Sequence, residues 1–136
     1  MSSPNLINIT STVLQTATGT PGTANTAFTA FTYYSGTSIT GMTLATTLNV
    51  VKVDSIIATN ISTSAVTASV AMANASTFTL GWYVAYQVTV PPNASVILVD
   101  KTTPLYITDS QSLAVYSSSA NNLVFTLPFE ILIASS

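Results

Sequence analysis

Six side chains carry all the charge in this sequence: Lys52, Lys101, Asp54, Asp100, Asp109 and Glu130. There is no His, no Cys and no Arg. Nucleophilic catalysis by a Ser–His or Cys–His pair is closed to such a chain, because no imidazole can take the proton. A Ser–Lys pair would need Lys52 or Lys101 buried beside a serine, and no motif singles one out. Two carboxylates can act as acid and base, with the four acids as the only candidates. Asp100 and Asp109 stand at strand ends, where an Asp oxygen commonly caps a turn. Lys52 and Asp54, two apart on a strand, share a face and form a surface pair of small energetic weight. Structural roles are expected for all four acids, and no enzymatic activity is expected.

Other chemistry is equally sparse. A calcium loop brings several oxygens from one segment in an Asp-x-Asp-x-Asp-Gly spacing, which is missing here. A Lys–Asn or Lys–Asp isopeptide crosslink would need Lys52 or Lys101 buried beside its partner, which no spacing identifies. Without cysteine there is neither a disulfide nor a thiolate metal site. Two isolated lysines cannot displace counterions from a phosphate chain, so no nucleic-acid partner is expected. No cofactor and no metal are expected. Trp82, Tyr83 and Tyr86 could form a stacking platform for a sugar. Strict alternation sets Trp82 and Tyr86 on the face of Val84 and Val88, with Tyr83 on the other face. Packing in a core or an interface is therefore the favoured reading of these rings. Asn-x-Ser/Thr triplets begin at Asn8, Asn60, Asn74 and Asn93, as chance provides in a chain with 24 Thr and 18 Ser.

The elements that would position these groups are strands. From Phe78 the even positions read Phe78, Leu80, Trp82, Val84, Tyr86, Val88 and Val90, with Thr79, Gly81, Gln87 and Thr89 between them. That period of two predicts a strand with one buried face, bent at Gly81 and stopped by Pro91-Pro92-Asn93. Leu123, Phe125, Leu127, Phe129, Ile131 and Ile133 predict a second such strand. Shorter strands are expected at 94–100, 105–108 and 113–117, with polar turns between them. A β-branched run over 48–61 breaks near Asp54-Ser55, and 65–73 alternates with smaller side chains. No window has the i, i+3, i+4, i+7 spacing of a helix. The expected fold is all-β: an antiparallel β-sandwich, jelly-roll or Ig-like.

Residues 1–47 read differently, being rich in Thr, Ser, Ala, Gly and Asn. They are expected to form an extended N-terminal arm and edge strands, with 48–136 as the sandwich core. Leu6, Ile7, Ile9 and Val13 on one segment, and Phe28, Phe31, Tyr33 and Tyr34 on the next, are the candidate interface residues. An arm or edge strand completes a sheet, in its own chain or in a neighbour's.

Charged residues make up 4% of the chain, against roughly 25% in an average soluble domain. Hydroxyls therefore carry the polar surface, and little self-repulsion keeps copies apart. No apolar run approaches the length of a membrane span, and the first residues have no basic start before a long apolar core. Neither a membrane span nor a Sec leader is expected.

The block from Tyr83 to Ile131 carries a resemblance. It reads Tyr83-Val84-Ala85-Tyr86-Gln87-Val88-Thr89-Val90-Pro91-Pro92-Asn93, then Val96-Ile97-Leu98-Val99-Asp100-Lys101. It continues through Pro104-Leu105-Tyr106-Ile107, Asp109-Ser110-Gln111-Ser112-Leu113-Ala114-Val115 and Phe129-Glu130. This is similar to small virion proteins of tailed bacteriophages, notably of marine and cyanobacterial phages. Their acidic turn reads Glu-Gly-Asp-Ser and their close Ser-Tyr-Glu-Glu, so the likeness is partial and leaves 1–47 aside. It implies a β-sandwich on the capsid exterior or at the neck and tail, and it brings no active site with it.

The expected function is that of a phage capsid decoration, or cement, protein in the virion, made in the host cytoplasm. Its partners would be copies of itself, as a trimer, and the major capsid protein. A neck, tail or baseplate component is the alternative. Less favoured readings are a host-glycan-binding module and a filament subunit linked by donated strands.

Overall fold

Runs of β-branched, aromatic and hydroxyl-bearing residues can bury one face and still pair their amides only by joining extended segments side by side. The computed structural model describes residues 9–33, 36–43, 49–74, 80–108 and 110–134. Its strands are β1 (Ile9–Gly19), β2 (Ala30–Tyr33), β3 (Thr37–Thr40), β4 (Asn49–Val53), β5 (Ile56–Asn60) and β6 (Val66–Asn74). There follow β7 (Leu80–Val90), β8 (Ser95–Val99), β9 (Leu105–Ile107), β10 (Gln111–Ser117) and β11 (Leu123–Ala134). Among the described residues there is no helix, and the strands form two antiparallel sheets packed as a β-sandwich.

β11 is the spine of the larger sheet. β1 pairs with one edge of it from Gly19 opposite Phe125 to Ile9 opposite Ala134. Its other edge is shared: β5 takes Leu123–Thr126 and β4 takes Phe129–Ile133. The chain breaks between β4 and β5 at Asp54-Ser55, and the Asp54 N–H donates to the Pro128 carbonyl at 2.9 Å. A residue's N–H and C=O point to the same antiparallel neighbour, so the N–H that Pro128 lacks falls in this gap. The sequence break and the proline are thus one feature, seen from two strands. β8 extends β5, β9 extends β4, and β2 and β3 lie outside β1.

The smaller sheet runs β10-β6-β7. The outer edge of β10 is sealed by the segments that flank β2 and β3. Phe28 and Val115 exchange both backbone hydrogen bonds, at 2.9 and 3.0 Å, and the Leu113 N–H donates to the Gly41 carbonyl at 2.7 Å. Gly41 has φ +63°, and an added Cβ there would collide with the Ser112 side chain. Only glycine meets both the backbone and the space requirements at that corner.

The core lies between the sheets. From β11 it takes Leu123, Phe125, Leu127 and Phe129, and from β4 and β5 Val51, Val53, Ile56 and Ala58. Val70, Met72, Leu113 and Val115 face them from the smaller sheet. Asn60 is buried and holds the turn into β6. Its Nδ2 donates to the carbonyls of Ser64 and Val90 at 2.8 and 3.0 Å, and its Oδ1 accepts from the Ser62 N–H at 2.9 Å. The Asn60 triplet is therefore a satisfied structural asparagine rather than a surface acceptor.

The expected division at 47/48 does not follow the sheets. β1, β2 and β3 belong to the same sheet as β4, β5, β8, β9 and β11, and β1 is an interior strand of it. Residues 9–19 complete a sheet in their own chain, because β11 has a full edge to offer them.

Candidate binding cleft

β7 does not bury the face its alternation suggests. Val90 is fully buried, but Trp82 is 55% and Tyr86 59% exposed. For Tyr86 the cause is register; Trp82, opposite the core residue Met72, stays on the inward side. Against β6, β7 takes one extra residue between Val88 and Ala85, another between Ala85 and Tyr83, and a third at Gly81. Each extra residue inverts the faces that follow it. Val84 and Ala85, adjacent in sequence, therefore both pack against the core. Tyr83 and Tyr86, three apart, share the outer face, with ring centroids 4.6 Å apart and planes at 58°. The opposite-face placement expected for Tyr83 is corrected by these bulges.

The bulge at Gln87 is built in. Gln87 has φ +49°, a left-handed conformation uncommon outside glycine. Its N–H donates to Ser69 Oγ at 2.8 Å, and Ser69 is buried in the middle of β6. A hydroxyl inside the small sheet thus holds the backbone of its neighbour out of register.

From β10, Tyr116 comes to 6.0 Å from Tyr83, centroid to centroid, at 56°. Burial raises the Tyr116 phenol above its ordinary pKa, and the neighbouring Tyr83 adds to the rise. The three tyrosines wall an open cleft of about 140 Å³. Gln87, Ser69, Thr67 and Asn25 supply its polar groups, and none of the lining residues is charged. The end of β6 is tied to the rim: the Thr67 N–H donates to Ser118 Oγ at 2.9 Å and the Ser118 N–H to the Thr67 carbonyl at 3.0 Å. Such a cleft can stack an apolar ring face and hydrogen-bond an uncharged rim.

A second feature lies on the outer face of the larger sheet. Tyr106, Lys52, Glu130 and Leu14 are direct cross-strand partners across β9, β4, β11 and β1, hence one row on one face. Lys52 Nζ lies 3.6 Å from Asp54 Oδ1 and 3.4 Å from Glu130 Oε2. Burial pulls the Lys52 pKa down, but Glu130 and Asp54 outweigh it and leave the amine raised. The Glu130 carboxyl is also raised, first by its hydrogen bond to Asp54, then by burial and the Asp54 charge, against the pull of Lys52. Leu14 is 69% exposed and Tyr106 is also exposed, so apolar side chains flank the charges.

The candidate interface residues of the first third fall into three groups. Leu6, Ile7 and Tyr34 lie outside the described residues. Ile9 and Val13 stand in β1, opposite Ala134 and Ile131. Phe31 is fully buried in the chain's own core, with Phe28 edge-on to it at 5.7 Å and Tyr33 edge-on to Phe129 at 5.2 Å. Phe31 therefore offers no surface to a partner, and Phe28 and Tyr33 are partly spent on the same core. Among the described residues, the larger exposed apolar and aromatic side chains include Leu14, Trp82, Tyr86 and Ile97.

Sequence reasoning missed Tyr116, Ser69 and Gln87 as members of one cleft. The available signal was Ser69, a hydroxyl set in an otherwise small and apolar strand. Comparison with protein-family models, with curated proteins and with solved structures finds no match to this chain.

Proposed function

We propose that this chain is a structural protein of a tailed-phage virion, acting as a capsid decoration protein that braces the head by protein–protein packing. The observation that carries the reading is the outer face of the larger sheet. Leu14 and Tyr106 lie exposed beside the Lys52–Glu130–Asp54 cluster, in a chain where only 4% of residues are charged. Exposed apolar side chains around a small set of charges suit a surface that meets another protein, since apolar area gives affinity and paired charges fix register. The resemblance of residues 83–131 to small virion proteins supports the same reading. In this role the chain works with copies of itself, as a trimer, and with the major capsid protein. A protein that binds only the closed shell stabilises it by mass action.

Mass spectrometry of purified particles, counting this chain against the major capsid protein, tests the proposal. A copy number that follows the capsid lattice is expected. A single ring's worth of copies would move the chain to the neck or tail, and none at all would remove it from the virion.

A further inference from the structure

We propose that the tyrosine cleft on the smaller sheet is a binding site for an uncharged pyranose sugar. The inference does not depend on where the chain assembles; its failure would leave the virion proposal standing.

Three features select the ligand. Tyr83, Tyr86 and Tyr116 converge from two strands with tilted rings 4.6 and 6.0 Å apart, which offers stacking faces rather than a closed apolar hole. The Gln87 amide, the Thr67 hydroxyl and Asn25 also line the cleft. A purely apolar ligand would desolvate these groups without partners, at a cost per group comparable to a lost hydrogen bond. None of the lining residues is charged, so a phosphate, carboxylate or ammonium ligand would find no counter-charge. A ring with apolar C–H faces and a rim of neutral hydroxyls meets both walls. Size agrees: about 140 Å³ is well below the ~300 Å³ or more of sites for drug-sized ligands, and suits one ring. An extended peptide would need a groove several residues long.

The site is also preorganised, which separates it from scattered surface tyrosines. A regular strand would place residues 83 and 86 on opposite faces. The bulges of β7 bring them together, and the buried Ser69 hydroxyl holds the Gln87 backbone at φ +49°. Bulges of this kind re-aim side chains at sheet edges and beside binding sites. A left-handed non-glycine residue persists only where its surroundings fix it. Orientation fixed before binding lowers the entropy lost on binding.

The test is saturation-transfer NMR on the full chain. The probes are methyl glucoside, galactoside and mannoside, N-acetylglucosamine and a neutral oligosaccharide, with glucose 6-phosphate as the charged control. Transfer to at least one neutral pyranoside is expected, with none to the phosphate. Stronger transfer to the oligosaccharide identifies a glycan unit as ligand, and equal transfer a free sugar; both support the site. Tyr86→Ala, an exposed position, should weaken binding at least tenfold with the circular dichroism unchanged. Ser69→Ala should weaken it by a smaller factor through loss of the bulge, and Tyr116→Phe, which keeps the ring, should do so through the hydroxyl alone. No transfer to any neutral pyranoside overturns the proposal. So does binding that Tyr86→Ala leaves unchanged, or a proline-rich peptide that binds where the sugars do not.

Discussion

Phe125, Leu127 and Phe129 on β11 keep essentially no accessible surface, whereas Trp82 and Tyr86 on β7 keep more than half of theirs. Both strands alternate apolar residues at every second position, and both are long. What separates them is company. β11 has neighbours along both edges, and its inward face meets the other sheet without interruption. Among the described residues β7 pairs with β6 alone, and it takes three extra residues in doing so. Alternation makes a strand, but the neighbours and the register decide which alternate residues are covered. Aromatic residues on a bulged outer strand are free to face a ligand; the same residues on β11 would be core.

Truncation should separate the two strands most sharply. Phe125→Ala removes a fully buried ring from between the sheets and is expected to cost about 3–5 kcal/mol. Trp82→Ala removes a larger ring that is only partly covered, and should cost less, about 1–2 kcal/mol. Urea unfolding of both variants measures the gap; equal losses would mean that β7 is buried in the native protein.

A smaller effect concerns the charged row on the larger sheet. Glu130 holds its proton more tightly folded than unfolded, because Asp54 and burial outweigh Lys52. The folded state therefore binds more protons over the window between the ordinary and the raised value. Stability should fall as pH rises above 4.5 through that window. Glu130→Gln cannot titrate, so the unfolding midpoint of the natural chain should decline relative to that of the variant as pH rises. Parallel midpoints across the window would remove the Asp54–Glu130 interaction from the account.

Much of the fold was legible in the residues. The alternation of β11, the stop at Pro91-Pro92-Asn93 and the break at Asp54-Ser55 all mark features of the sheets, since each follows from local backbone chemistry. The place of β1 was not legible. Its Thr-rich, sparsely apolar sequence resembles an edge, yet it lies inside the sheet because most of its contact is backbone pairing with β11. The cleft was hidden for a related reason. A bulge leaves residue types unchanged and alters only which face they reach, so Tyr83 and Tyr86 could not be placed together without the partner strand. Gly81 was the exception, its missing side chain marking one of the three irregularities. Tyr116 belongs to a distant segment that only the β6 ladder brings near.

The direct test uses Trp82, the one tryptophan in the chain. In dilute, monomeric native protein its emission should be that of a half-exposed indole, red of a buried one, and acrylamide should quench it readily. A blue-shifted, protected tryptophan in the native monomer would contradict the account, because the start of β7 would then be covered by the chain itself.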